Sequence, residues 1–138
     1  MNSLINLSKS NFTLKTPIAT VKAGFPSPAS DYEEAPLSLD ELLVKNETAT
    51  FLLKVSGDSM KDAGIWNGDI LIVDSSLAAK NGDVVVAIVE NEFTVKQFRK
   101  DKTGLYLMPA NDAYPTISIQ NSETSIWGVV TSVIRKLR

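Results

Sequence analysis

Phe51, Leu53 and Val55 fall on one face of Thr50–Ser56, and this period of two predicts a strand. Asp83-Val-Val-Val-Ala-Ile-Val89 is apolar at every position after the aspartate and rich in β-branched residues, the pattern of a strand covered on both faces. Asp69–Val73 reads as another buried strand, and Phe93–Phe98 as the partner of 83–89 across a hairpin loop at Glu90-Asn-Glu92. Further strands are expected at Leu105–Met108, Thr116–Ile119 and Ile126–Ile134. Asn67-Gly68 and Asn81-Gly82 supply turns. A single helix is expected over 39–45, where Ser38 and Glu41 have the spacing of a capping box and Asp40 and Glu41 suit the positive end of the helix dipole. Gly57 to Gly64 should form a turn with one helical turn at most. Several short antiparallel strands with one short helix make the fold class mostly β.

The first 35 residues carry no sustained period. Ser, Thr, Asn, Ala and Pro dominate them, and Pro17, Pro26 and Pro28 bias their neighbours toward extended backbone. The reading is an extended N-terminal arm over 1–35, with at most one short strand around Phe12–Val21, followed by a β domain over 36–138.

Composition narrows the classes. A chain of 138 residues with 43% hydrophobic and 22% charged positions can bury a real core as one domain. The net charge of −2 offers no basic field to grip a phosphate backbone, so no direct nucleic-acid binding is expected. There is no apolar run of the length a membrane span needs and no signal-peptide core, which points to a cytoplasmic protein without membrane attachment. The absence of cysteine excludes disulfides and thiolate metal sites, and neither a metal nor a cofactor is expected.

The absence of histidine matters for chemistry. A nucleophilic hydroxyl in this chain must be activated by something other than imidazole, and lysine is the remaining good base. Ser59 lies in Val-Ser-Gly-Asp-Ser-Met60, a small-residue turn after an apolar run, and Lys96 lies within the strand-like Phe93-Thr-Val-Lys-Gln-Phe98. By position alone Ser59 reads as a turn serine capping Met60–Ala63, and Lys96 as a strand lysine facing solvent. As a pair they read as nucleophile and general base. Thr94, Lys96 and Phe98 share one face of the strand, and burial beside the apolar 83–89 run would favour a neutral amine. Ala23-Gly24 is a small dipeptide in the arm between Pro17 and Pro26, where extended backbone is expected, and it suits a bond to be cut; alone it is an ordinary loop dipeptide. Asp58 and Asp69 read as turn residues, Met60 as packing inward, Trp127 as core or dimer contact, and Arg135, Lys136 and Arg138 as a solvated basic tail.

Ser-Gly-Asp-Ser-Met60, Phe93-Thr-Val-Lys96 and Ala23-Gly24 stand in order with Gly24-Phe-Pro-Ser-Pro-Ala29, Asn67-Gly-Asp-Ile-Leu-Ile-Val-Asp74 and Trp127-Gly-Val-Val130. Together they resemble the LexA/UmuD family of self-cleaving Ser/Lys peptidases over about residues 23–138, and most closely its UmuD-like branch of accessory subunits to error-prone DNA polymerases. The resemblance implies a LexA/signal-peptidase-like β domain and autoproteolysis at Ala23-Gly24, with Ser59 as nucleophile and Lys96 as base. The backbone N–H groups of Asp58 and Ser59 would form the oxyanion site. It also implies a homodimer, stimulation by a RecA filament on single-stranded DNA, and a Y-family (UmuC-like) polymerase catalytic subunit as partner in SOS mutagenesis and translesion DNA repair. Many UmuD-like chains carry Cys-Gly at the cut, where this one has Ala-Gly as LexA does. A repressor of this family places a helix-turn-helix domain ahead of the peptidase, and 23 residues before the cut are too few for one. The other expectations to weigh are a non-cleaving dimeric scaffold of the same fold and a signal peptidase, which would need a membrane anchor.

Overall fold

The β-branched run at 84–89 becomes a strand from which the core extends in both directions. The computed structural model of the protein describes residues 4–6, 14–18, 23–24, 33–119 and 124–138. Its strands are β1 (Leu4–Asn6), β2 (Leu14–Ile18), β3 (Glu33–Leu37), β4 (Thr50–Lys54), β5 (Ile70–Asp74), β6 (Val84–Val89), β7 (Glu92–Asp101), β8 (Gly104–Met108), β9 (Ile117–Ser118) and β10 (Thr124–Ile134), with one α-helix, α1 (Leu39–Leu43). The chain divides into two compact units, one of Met1–Leu7 with Asn46–Arg138 and one of Ser8–Lys45.

The larger unit is an eight-stranded sheet in the order β1-β4-β5-β10-β6-β7-β8-β9, antiparallel throughout. β10 is its spine. Val129–Ile134 pair with β5 and Thr124–Val129 pair with β6, and the register shifts on both sides, at Val130/Ser132 and at Ile126/Gly128. Such bulges bend a strand and raise its twist, which lets one strand serve two halves of a folded-over sheet. Gly128 sits at that junction. A Cβ there would stand 2.7 Å from Val73 Cγ1 and 3.3 Å from the Asp74 carbonyl oxygen, so a larger residue would force the Val73 side chain or the strands to shift.

β6 is covered on both faces, as its continuous apolar run requires. Val86 belongs to one cluster with Leu53, Val55, Met60, Ile65, Leu71, Val73 and Val95. Val85 and Ala87 belong to another with Phe98, Leu107 and Val129. Met60 is buried as expected, and Trp127 packs its ring against Phe51 and Phe93, each centroid 5.2 Å away. Glu90 and Asn91, both at positive φ, make the tight β6–β7 turn.

In the smaller unit β2 and β3 form an antiparallel ribbon in which Pro17 lies opposite Glu34 and Pro36 opposite Lys15. A two-stranded ribbon has only edges, so its prolines need no ladder partner on the outer side. The mostly-β class stands, but the N-terminal stretch holds more strand than periodicity predicts. β1 is too short for a period to show, and β3 is carried by backbone pairing of a sequence, Glu-Glu-Ala-Pro-Leu, with weak strand preference. The capping box does not form: Ser38 precedes α1 with extended backbone, but its side chain makes no capping hydrogen bond.

Candidate active site

The nucleophile segment is built between β4 and β5. Gly57, at φ +98°, turns the chain out of the sheet, a conformation that favours glycine, and Asn67 Oδ1 accepts the Gly57 N–H at 3.0 Å. Met60, 2% exposed, pins the far side of the turn in the core. A 3-10 turn, Lys61–Ala63, follows and ends at Gly64 in the left-handed region. Ser59 is thereby held half-buried on a short loop fixed at both ends.

Lys96 comes from the middle of β7, where it lies opposite Val85 of β6. Its side chain is 7% exposed, and its Nζ donates to Ser59 Oγ across 3.0 Å. Burial disfavours the ammonium and holds the amine below its ordinary value of 10.5. Among the described residues no carboxylate pairs with it. The carboxylate one residue before Ser59 is engaged elsewhere: Asp58 Oδ1 accepts from Tyr114 OH at 2.7 Å. The Asp58 main-chain carbonyl accepts from Asn111 Nδ2 at 3.0 Å. Among the described residues, no acceptor meets the backbone N–H of Asp58 or of Ser59.

Ser59 and Lys96 each line a cleft beside their contact. One is lined by Val55, Ser56, Gly57, Ser59 and Met60 with Phe93–Val95. The other is lined by Val89, Glu90, Glu92, Phe93, Thr94, Lys96, Tyr114, Pro115 and Ile117. Phe93 and Thr94 belong to both walls, so an extended chain crossing them would pass from one cleft to the other beside the hydroxyl.

Ala23 and Gly24 belong to the smaller unit, in the connection between β2 and β3, and both are exposed. The backbone bends there, with Gly24 at φ +101°, in place of the extended form expected from the flanking prolines. The turn allowed by glycine outweighs the proline bias at this point.

A larger cleft lies elsewhere on the sheet unit, lined by Lys54, Trp66–Ile70 and Ile134–Lys136. It carries an ion pair and no nucleophile. Asp69, 2% exposed, accepts from Trp66 N–H at 2.8 Å and from Arg135 Nε at 2.7 Å, with a further bond from Arg135 Nη2. The Arg135 bonds hold its carboxyl below 3.8 against the opposing effect of burial. Asp69 is therefore more than a turn residue, and Arg135 is not part of a solvated tail. Sequence reasoning also missed Asn111 and Tyr114. Asn-Asp-Ala-Tyr-Pro115 signals a turn and nothing more, because what it touches lies more than fifty residues away in the chain.

A family model described as Peptidase S24-like matches residues 17–131. The chain is 48% identical to protein MucA of Salmonella typhimurium over 113 residues, which are 80% of this chain and 77% of that protein. It is 44% identical to protein SamA of Salmonella typhimurium over 116 residues, 84% of this chain and 81% of that one. A LexA repressor of Corynebacterium jeikeium is 42% identical over 120 residues, which are 87% of this chain but 44% of the repressor.

Proposed function

The chain belongs to the S24-like peptidase family, and on that footing we propose that it is a serine peptidase acting on itself, with Ser59 as nucleophile, Lys96 as general base and Ala23-Gly24 as the bond cut. The observation that carries this reading is the 3.0 Å contact between Ser59 Oγ and the buried Nζ of Lys96. A desolvated amine that loses its proton gains a lone pair aimed at the hydroxyl it already touches. Ser59 Oγ attacks the Ala23 carbonyl carbon while Lys96 takes the hydroxyl proton. The oxyanion is met by the backbone N–H groups of Asp58 and Ser59, donors of a kind worth about 10²–10³ in rate. The C–N bond then breaks, Lys96 hands its proton to the Gly24 nitrogen, and an acyl-enzyme remains on Ser59. Water, deprotonated by Lys96, releases it. The products are Met1–Ala23 and Gly24–Arg138.

The UmuD-like motifs extend the reading. A RecA filament on single-stranded DNA shifts the population toward the state in which the cleavage segment occupies the site, which makes it a co-protease without catalytic groups of its own. The cleaved chain acts in the cytoplasm as a homodimer and as accessory subunit of a Y-family, UmuC-like polymerase in mutagenic translesion synthesis.

The test is intact-mass analysis of the full-length chain incubated at about pH 10, where more of the lysine is neutral, beside Ser59→Ala and Lys96→Ala. A new species beginning at Gly24, absent from both variants, is the expected result. A wild-type mass that never changes, with RecA filaments added as well, would leave a dimeric scaffold of the same fold.

A further inference from the structure

The segment between β8 and β9 reaches back to the nucleophile loop. The Ala110 carbonyl accepts the Asp62 N–H at 2.8 Å, and Asn111, itself buried, donates to the Asp58 carbonyl. Tyr114 is different in kind. It is 42% exposed, so filling the core does not explain it. Its hydroxyl holds the Asp58 carboxylate at 2.7 Å, and its ring stands over the base, with the centroid 5.8 Å from Lys96 Nζ.

We propose that Tyr114 is a positioning residue that latches the Asp58 carboxylate away from Lys96 and so leaves the amine free to act as a base. This rests on the Ser59–Lys96 reading. Asp58 adjoins the serine whose hydroxyl touches Nζ. Released from the phenol, a carboxylate with two rotatable bonds would turn toward the buried ammonium, and an opposite charge at close range stabilises the protonated form. The other groups around Lys96 do not do this. β6 presents only apolar side chains, while Glu90 in the β6–β7 turn and Glu92 at the start of β7, which line the same cleft, are exposed and screened by solvent. The hydrogen bond and charge of Asp58 also hold the Tyr114 phenol above its ordinary value of 10.0, so it remains a donor while Lys96 titrates.

The experiment is the pH profile of self-cleavage of the full-length chain, for wild type, Tyr114→Phe and Tyr114→Phe/Asp58→Asn. Phenylalanine keeps the ring over Lys96 and removes only the donor. The expected result is a midpoint raised by about one pH unit in Tyr114→Phe. Cleavage then slows about tenfold below the midpoint and converges with wild type above it, and the midpoint returns in the double variant. Titration of the Lys96 Cε chemical shift in Ser59→Ala, with and without Tyr114→Phe, should show the same displacement with no cleavage involved. Coincident profiles, an equal loss at every pH, or a shift that persists in the double variant would overturn the latch. A wild-type rate that does not titrate would instead remove lysine as the base, and the latch with it.

Discussion

Asp69 and Lys96 are both buried in the eight-stranded unit, at 2% and 7% exposure, yet one meets its counter-charge and the other meets a hydroxyl. The stretch between β4 and β5 supplies a residue to each place, Ser59 to one and Asp69 to the other. At Asp69 the guanidinium of Arg135 and the Trp66 N–H satisfy the carboxylate, and the charge stays. At Lys96 no carboxylate among the described residues pairs with the ammonium, which meets only a hydroxyl and the face of the Tyr114 ring, and the proton is the part that burial disfavours. A buried charge with a full set of partners holds architecture together, whereas one left with a neutral neighbour is poised for proton transfer.

That contrast breaks most visibly in activity. Ser59→Ala or Lys96→Ala should lower self-cleavage at least a thousandfold, on the order seen when a nucleophile or its base is removed, read from intact mass, while leaving the thermal transition near wild type. The opposite pattern is expected at the ion pair. Arg135→Ala strands the Asp69 carboxylate and should destabilise the fold by about 2–3 kcal/mol in urea unfolding, below the range for a fully buried pair because the arginine is 41% exposed. The midpoint of the cleavage pH profile should not move. A loss under 0.5 kcal/mol, roughly the level of an exposed pair, would place Asp69 with ordinary surface acids.

Smaller effects sharpen the comparison through pH. The folded Lys96 pKa lies below 10.5, so the unfolded chain binds more protons between those two values, and stability rises with pH across that window. Lys96→Met should stabilise the protein by about 1 kcal/mol near pH 7 and erase the slope, as urea titrations at pH 7 and 10 would register. Asp69 works at the acid end. Its folded pKa lies below 3.8, so its contribution is complete above that value and is lost as pH falls through the folded one. Asp69→Asn should flatten acid unfolding below about pH 4, visible as a reduced difference in thermal midpoint between pH 5 and pH 3.

The elements that carry Ser59 and Lys96 could be read from the chain because their signals are local: Gly57 and Ser59 mark a turn, and Lys96 stands on a strand with obvious period. That the two side chains should meet could not be read from either position alone, and it follows from the ordered motifs; the structure brings them to 3.0 Å. The strands from β4 onward follow from alternation and turn residues in the same way, whereas the helix at Leu39–Leu43 forms without the capping bond that announces it. The Asp69–Arg135 pair and the Tyr114–Asp58 contact could not be read, since each joins residues 66 or 56 positions apart through side chains whose own segments look like plain turn or tail. β1 and β3 escaped for a related reason: one is three residues long and the other, Glu-Glu-Ala-Pro-Leu, has weak strand preference, so neither shows a period to read.

Ser59 follows β4, and Lys96 stands on β7 beside β6; among the described residues the ladder joins β4–β5 to β6–β7 through β10, which pairs with both β5 and β6. Each half can pair locally, whereas closing the ladder between them recruits a strand distant in sequence from both, and such long-range pairing is the slow kind of step in folding. The contact between the hydroxyl and the amine depends on that step, so it belongs to the late, global part of folding and not to either half alone.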